Sequence, residues 1–246
     1  MDERKSLRCS IIRGGTSKGI FIKENELPDD PAARDAVIRA VFGSPDIRQT
    51  DGLGGADVLT SKLAIIGPPP RPDADVDYTF GQVSFETDKI DYSGNCGNIS
   101  SAVGPYAIDE GMVRADGEAA FVRIHMKNTG RILRAEVPTR DGRAVETGDF
   151  AIDGVPGTGA RITLDWSDTA GGVTGKLLPT GNVKDQVCIE GKNYEVSLVD
   201  AGNPLVFIRA EALGMTGTES PDEIENNAEL MRTIEKIRGW AAARIG

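Results

Sequence analysis

The residue of this sequence best placed for chemistry is Cys96, which lies between two Gly-Asn pairs in DYSGNCGNISSAVGPYA at 91–107. The small and apolar residues that follow predict a helix beginning near Asn98, so the thiol would lie beside backbone N–H groups that lack an intrahelical partner. Such donors, with the positive end of the helix dipole, favour thiolate over thiol and bind anions. The flanking glycines let a ligand approach the backbone closely. The alternative is a cysteine that only packs, between glycines that only form a turn.

A second candidate is the segment RGGTSKG at 13–19, in which two glycines precede Thr16, Ser17 and Lys18. It is not a phosphate-binding P-loop, because the G-x-x-x-x-G-K-[ST] spacing is absent and no helix is expected after it. The segment predicts a Gly-Gly turn between two strands. Its hydroxyl and ammonium groups are suitable donors for a carboxylate, and a polar hairpin loop without a ligand is the alternative.

The third candidate is Lys62, a lysine inside the largely apolar segment VLTSKLAII at 58–66. Strand alternation would place Lys62 and Ala64 on one face, and Ser61 and Leu63 on the other. A lysine in this position either protects an edge strand from pairing with another chain or is a buried ammonium. Burial lowers the pKa of an ammonium and suits it to proton transfer. The segment alone slightly favours the edge-strand interpretation.

The single histidine and the two remaining cysteines indicate structural roles rather than catalytic ones. His125 is the only histidine, which excludes a histidine-rich zinc site. It alternates with Arg123 and Lys127, as expected on a solvated strand face. Cys9 and Cys188 are expected in strand cores, and no metal site is predicted.

Short segments with strand alternation dominate the chain and predict a strand-rich α+β protein. A change of pattern at 127–131 predicts a domain boundary. A helix that is small and apolar nearly all round belongs in an interior, surrounded here by strands. The expected helices are an amphipathic one from Pro31 to Phe42, the apolar one from Asn98 to Gly111, and one that begins with a capping box at Ser220 and runs toward Arg244, with a break near Gly239.

The bulk composition limits the partners that are expected. The net charge is −10 and no dense run of Lys and Arg occurs, so no nucleic-acid groove is expected. No stretch approaches about 18 consecutive apolar residues, and the N-terminal MDERKSLRC lacks the apolar region of a secretory signal. Three cysteines without a CxxC pair favour a protein of the reducing cytoplasm. The oligomeric state stays open, with a homodimer among the options.

Four stretches together resemble the 2-methylaconitate cis-trans isomerase (PrpF-type) family, which includes methylitaconate Δ-isomerases and 4-oxalomesaconate tautomerases and belongs to the diaminopimelate-epimerase-like superfamily. The resemblance implies two similar lobes, each a β-barrel-like sheet around a central helix. The first lobe would cover 1–127, with its central helix from about 98 to 111. A partial second lobe would cover 128–246, because family members are longer. The four stretches are RGGTSKG (13–19), TDGLGGADVLTSKLAII (50–66), DYSGNCGNISSAVGPYAI (91–108) and DAGNPLVFIRAEALGM (200–215).

The same resemblance implies an activity and its residues. It implies a cofactor-independent isomerase or tautomerase of a small unsaturated di- or tricarboxylate such as 2-methylaconitate, methylitaconate or 4-oxalomesaconate. Lys62 and Cys96 would be the catalytic acid and base. The alternatives are an amino-acid racemase or epimerase, which would need a second helix-start cysteine that is not visible, and a non-catalytic protein that binds polycarboxylates. The residues expected to bind substrate are Thr16, Ser17, Lys18, Ser61, Asn95, Gly97 and Asn98.

Overall fold

The computed structural model describes residues 6–245. Contacts within the chain divide it between Asp168 and Thr169 into a larger unit 1 and a smaller unit 2. The α+β class expected from the sequence is confirmed. The elements of unit 1 are strands β1 (Ser10–Gly14), β2 (Ser17–Lys23), β3 (Lys62–Gly67), β4 (Val76–Val83), β5 (Ile90–Asp91), β6 (Ala119–Met126), β7 (Arg131–Arg140), β8 (Arg143–Ala144) and β9 (Thr163–Asp165), and helices α1 (Pro31–Phe42), α2 (Gly97–Ser100) and α3 (Val103–Asp109).

The strands of unit 1 form one nine-stranded sheet in the order β1-β2-β3-β4-β6-β7-β8, with β5 paired to β4 and β9 paired to β7. The β2–β3 pair is parallel and opposes Gly19 to Lys62. The β3–β4 pair is antiparallel and opposes Lys62 to Gln82. Since β3 lies between two other strands, its side chains emerge from the middle of the sheet and not from an edge.

Both faces of this sheet pack against helices. Successive side chains of β2, β3 and β4 point to opposite faces, so each strand contributes to both. Residues of β2, β3, β4, β6 and β7 pack around α2 and α3, and we name this cluster the central-helix core. Side chains from β2 and β3 on the opposite face pack against α1. Phe21 and Ala64 belong to the first cluster, while Ile20 and Leu63 belong to the second.

The first expected helix is confirmed at the predicted bounds by α1. Pro31 occupies the first turn, where its missing N–H is not needed. Asp30 caps the helix by accepting a hydrogen bond from the Ala33 N–H at 2.8 Å. The helix ends at Gly43, whose φ of 75° is the left-handed conformation that favours glycine.

The apolar helix expected from Asn98 to Gly111 is buried, but it is two helices with a turn between α2 and α3. Two serine hydroxyls compete for helix carbonyls: Ser100 Oγ donates to Cys96 O at 2.8 Å, and Ser101 Oγ donates to Asn98 O at 2.7 Å. Pro105 has no N–H to donate to the carbonyl four residues earlier. The expectation of one continuous helix was therefore wrong.

The boundary predicted at 127–128 falls within unit 1. Residues 127–130 form the turn of the hairpin between β6 and β7, closed by a hydrogen bond from Gly130 N–H to Met126 O at 2.8 Å. The two compact units divide about forty residues later, between Asp168 and Thr169. The change of pattern that suggested a boundary is thus a turn signal, and the assignment of two epimerase-like lobes stays a prediction.

Unit 2 consists of a three-stranded antiparallel sheet with one long helix on it. The capping box at Ser220 is confirmed, but its helix ends at Glu225. A second helix starts after Asn227, whose Oδ1 accepts from Leu230 N–H at 3.1 Å, and it continues through Gly239, where a break was expected. The elements are β10 (Asp185–Ile189), β11 (Lys192–Asp200), β12 (Pro204–Ile208), α4 (Pro221–Glu225) and α5 (Ala228–Ile245).

The structure corrects two expectations about isolated residues. His125 is not on a solvated face: its Nδ1 lies 2.6 Å from Asp77 Oδ1, and both side chains are largely buried. Their partnership follows from the parallel pairing of β4 with β6, which opposes Asp77 to His125. Cys188 lies in β10 with an exposed side chain, whereas Cys9 is partly buried against the α1 side of the sheet.

Among residues 6–245, no helix has the length and apolar character required to cross a membrane.

Candidate active site

Lys62 is the first residue of β3, and its side chain points to the face that carries the central-helix core. Ala64 and Ile66 of the same strand belong to that core, whereas Leu63 packs on the opposite side. Only 9% of Lys62 is exposed. Its Nζ donates to Gln82 Oε1 at 2.8 Å and lies 5.5 Å from the centre of the Phe80 ring. Because β3 is an interior strand, protection of a sheet edge does not explain this lysine.

Cys96 occupies the N-cap position of α2 and packs, partly buried, against the central-helix core. Its thiol does not cap the helix, so the N–H groups of the first turn lack an acceptor from the N-cap side chain. Because α2 has only four residues, its dipole is much weaker than that of the continuous helix expected from the sequence. Any preference of the site for anions therefore rests on individual N–H groups.

Glycines bring the start of α2 onto the sheet. A Cβ at Gly14 would lie 2.4 Å from Asn98 O, and one at Gly15 would lie 2.1 Å from Asn98 Oδ1. Gly15 also has a φ of 51°. A Cβ at Gly19 would lie 2.8 Å from Ile99 Cδ1, and Gly19 is the register partner of Lys62. The start of α2, with Cys96, thus lies on the same face and at the same end of the sheet as Lys62.

The turn after β1 and the first residues of β2 place their side chains on the two faces of the sheet. Ser17 is 1% exposed on the central-helix side, and its Oγ has no hydrogen-bond partner among the described residues. Thr16 N–H donates to Asn98 Oδ1 at 3.2 Å. Lys18 alternates with Ser17, and its Nζ lies 3.2 Å from the position of a Cβ on Gly55. Thr16 and Ser17 therefore lie on the side of the sheet that carries α2, while Lys18 extends toward the loop that precedes β3.

Ser61 lies on the face opposite Lys62, as the alternation predicted. Its buried Oγ donates to Gln49 Oε1 at 2.7 Å. Gln49 Oε1 also accepts from Ala56 N–H at 2.8 Å, and Gln49 Nε2 donates to Ser44 Oγ at 3.0 Å. The Ser61 hydroxyl therefore supports the loop before β3. The Ser61 carbonyl instead accepts a hydrogen bond from Gln82 Nε2 at 3.1 Å, and Gln82 is the partner of Lys62.

The loop that leads to Cys96 is held by residues that the sequence did not single out. β4 pairs with β6 over Val76–Tyr78 and with β5 over Gln82–Val83, which leaves Phe80 between the two ladders. Asn128 fills this gap: its Oδ1 accepts from Phe80 N–H at 2.9 Å, and its Nδ2 donates to Phe80 O at 2.9 Å and Tyr92 O at 2.6 Å. Tyr92 OH donates to Asp35 Oδ1 at 2.7 Å. Asn95 lies in this loop, partly buried.

Replacing Asn128 with alanine is expected to destabilise unit 1 by roughly 2–4 kcal/mol, because the Phe80 amide and carbonyl would lose their partner in a partly buried place. Urea unfolding measures this loss. Asn25→Ala is the matched control, since Asn25 is exposed in the same unit and should change stability by less than about 0.5 kcal/mol. Equal effects of the two substitutions would contradict the role given to Asn128.

A buried phenol on the same face as Lys62 stays protonated. Tyr78 is fully buried in the central-helix core. Burial raises the pKa of its hydroxyl well above the usual value, the nearby Cys96 raises it further, and Ser100 opposes the rise. Tyr78 is therefore not an acid or base near neutral pH.

A cavity of 570 Å³ lies within unit 1, beside α2. Its wall includes Arg13, Gly15, Gly97 and Asn98, together with residues of the segment 144–162. Lys62 and Cys96 are not part of that wall. The cavity thus contacts two predicted substrate-binding residues, Gly97 and Asn98, but neither of the two predicted catalytic residues.

The fold places the chain in a known structural class. It superposes on a solved hydroxyproline epimerase from Agrobacterium vitis with a TM-score of 0.54 at 14% identity, over 93% of this chain and 59% of that one. At this identity the likeness concerns the fold alone. The expected diaminopimelate-epimerase-like fold, in which a sheet wraps around a central helix, is thereby confirmed for the chain.

The chain belongs to the PrpF protein family, whose sequence profile matches residues 4–246. It is 55% identical, over all of its length and 65% of the relative, to 3-methylitaconate isomerase of Eubacterium barkeri. It is 50% identical, over 94% of its length and 63% of the relative, to 4-oxalomesaconate tautomerase of Pseudomonas putida. A solved methylitaconate-delta-isomerase matches with a TM-score of 0.81 and 56% identity, over 98% of this chain and 62% of that one. The chain thus spans less than two thirds of the length of these relatives.

Proposed function

We propose that the protein is an isomerase that relocates a proton on a small unsaturated di- or tricarboxylate. The observation that carries this proposal is that the side chain of Lys62 and the start of α2 at Cys96 lie on one face and at one end of the same sheet. Membership of the PrpF family supports it. Two relatives are named for methylitaconate and oxalomesaconate, and these acids with 2-methylaconitate are the substrates we propose to test.

In the proposed reaction, either Lys62 or Cys96 removes a proton next to the carbon–carbon double bond, and the resulting negative charge spreads onto a carboxylate. Rotation about the bond that has become single, followed by return of a proton to the same carbon, exchanges cis and trans isomers. Return of the proton to another carbon shifts the double bond. Substrate and product have the same composition and oxidation state, so proton exchange alone balances the reaction and a cofactor-independent mechanism suffices.

The proposed binding groups are hydrogen-bond donors. The substrate is an anion and the chain has a net charge of −10, so the site itself must supply groups that attract a carboxylate. Ser17 Oγ is buried on the side of Lys62 without a partner in the described part of the chain. The first-turn amides at Gly97 and Asn98 are further donors for a carboxylate or for the developing enolate-like charge. Asn95, Thr16, Lys18 and Ser61 complete the proposed binding set. The geometry supports Lys18 and Ser61 least, because Lys18 extends toward the loop before β3 and the Ser61 hydroxyl is bound to Gln49.

The proposal predicts that the carbon acid exchanges its proton with solvent. In D₂O, ¹H NMR of each candidate acid incubated with the protein should show deuterium in recovered substrate or in product. Isomerisation with complete retention of the original hydrogen would contradict an acid–base mechanism with these side chains, because ammonium and thiol protons exchange rapidly with water.

The two alternatives from the sequence predict different results in assays of binding, turnover and hydrogen exchange. A polycarboxylate-binding protein would show heat of binding in a calorimetric titration without any turnover. A racemase would exchange the α-hydrogen of an amino acid, but Cys188 is exposed on β10 and not at a helix start, which disfavours a paired-cysteine mechanism. Action in the cytoplasm, without nucleic acid or a membrane as partner, forms part of the proposal.

A further inference from the structure

Gln82 joins Lys62 to the residue before it in the chain. Its Oε1 accepts from Lys62 Nζ at 2.8 Å, and its Nε2 donates to Ser61 O at 3.1 Å. The opposite orientation of the amide would bring its NH₂ group against an ammonium and its oxygen against a carbonyl, so the chemistry of both neighbours determines the orientation. The Gln82 side chain therefore binds the Lys62 amine with one end and the Ser61 carbonyl with the other.

The partner of Lys62 is neutral, although the lysine is almost completely buried. Among residues 6–245, no carboxylate oxygen lies within the 4 Å of Nζ that an ion pair requires. The other close neighbour of Nζ is the face of Phe80. A carboxylate in place of the amide would hold the ammonium charged, whereas an amide oxygen accepts a hydrogen bond without adding a charge.

Few titratable groups on the packed elements face this lysine. Tyr78 of β4 is on the same face and keeps its proton. Cys96 stands at the start of α2. Asp91 of β5 is opposite Gln82 in register, and its Oδ1 accepts from both the N–H and the hydroxyl of Ser93. On β2, Lys18 points away. The direct hydrogen-bond partner of Lys62 among these residues is Gln82.

We propose that Gln82 is a positioning residue whose neutral amide fixes the Lys62 amine beside the start of α2 without placing a negative charge next to it. The inference rests on the proposed function in one respect, namely that the Lys62 proton is the one transferred. The hydrogen-bond geometry itself does not depend on the reaction.

The test is the titration of Lys62 itself, followed by ¹³C and ¹⁵N NMR of lysine side chains and assigned with Lys62→Arg. Gln82→Glu keeps the shape of the side chain and adds a carboxylate beside Nζ, so the pKa of Lys62 should rise by about 1–3 units. The matched control is Gln186→Glu, which adds the same charge at an exposed position of β10 and should leave the Lys62 titration unchanged. An unchanged titration in Gln82→Glu, or an equal shift in Gln186→Glu, overturns the proposal.

Turnover separates this inference from the proposed function. If both hold, the pH limb of kcat that reports Lys62 moves upward in Gln82→Glu by the same amount as the NMR titration. A shifted titration without any turnover of the three acids supports the role of Gln82 and contradicts the function. Turnover with a pH profile that is unshifted in Gln82→Glu supports the function and contradicts the role of Gln82. Gln82→Met, which keeps the bulk but has no oxygen acceptor, should lower kcat without an upward shift, and an unchanged kcat would overturn the inference even if Gln82→Glu does not fold.

Discussion

Alanine at position 96 or at position 62 is expected to lower turnover of the preferred acid by about 10²–10⁴-fold, the usual contribution of a positioned proton-transfer group. The Cys96 thiol and the Lys62 amine are the two groups at this end of the sheet that fit the proton transfer proposed here, and Tyr78 cannot replace either because its pKa is raised by burial. Loss in kcat with a smaller change in KM is expected, since neither group is the main carboxylate ligand.

Two controls distinguish chemistry from damage to the fold. Cys188→Ala removes an exposed thiol, and Lys89→Ala removes an exposed lysine of unit 1; both should retain turnover. Circular dichroism of Cys96→Ala and Lys62→Ala should match that of the parent chain. Full activity in either of these two variants contradicts the proposed roles of Lys62 and Cys96. If both lose activity but deuterium exchange persists in one, the residue that remains is the base for the exchanging hydrogen.

Local patterns in the sequence predicted the direction of the Lys62 side chain but not its environment. Alternation within 58–66 placed Lys62 with Ala64, and the packing of β3 confirms it. Burial depends instead on the order of strands in the sheet, because a lysine on β3 is interior only when β2 and β4 flank it. Strand order is a long-range property, so the edge-strand interpretation was a reasonable prediction from the segment alone and was wrong.

The residues missed by sequence reasoning are those whose partners come from distant strands. Gln82 meets Lys62 through antiparallel register, and Asn128 meets Phe80 only because two short ladders leave a gap on β4. By contrast, the break between α2 and α3 had a local signal. Pro105 stands within the expected helix, and its effect on the preceding turn was visible in the sequence. Composition alone hid this signal, since the whole stretch is small and apolar.

The residues of the resemblance motifs also differ in whether they contribute to the candidate site. The glycines that admit α2 to the sheet all lie in RGGTSKG (13–19), one of the stretches that carry the family resemblance, and their close contacts with Asn98 and Ile99 explain why glycine is needed at 14, 15 and 19. Ser61 lies in such a stretch as well, yet its hydroxyl binds Gln49. A motif thus marks the neighbourhood of a site, while the side of the strand decides which of its residues face it.

The second large effect concerns Asp200, a buried carboxylate that organises unit 2. Its Oδ2 accepts from Val173 N–H at 3.0 Å, Thr174 N–H at 2.8 Å and Thr174 Oγ1 at 2.9 Å. Burial works against the charged form, but the hydrogen bonds from Thr174 and Val173 outweigh it and hold the pKa below its usual value. Asp200→Ala leaves these donors without an acceptor and should destabilise unit 2 by roughly 2–6 kcal/mol.

Because the folded-state pKa of Asp200 is lowered, its stabilisation is fully present above the unfolded-state pKa of about 3.9 and is lost as pH falls through the folded value. Urea unfolding followed by Trp240 fluorescence, in a Trp166→Phe background, reports unit 2. Asp200→Asn should weaken the fall in stability between about pH 4 and the lower folded-state value. Asp222→Ala, an exposed carboxylate of the same unit, should cost at most about 1 kcal/mol. Equal losses in the two alanine variants, or an acid dependence that survives in Asp200→Asn, would contradict a buried carboxylate that holds this loop.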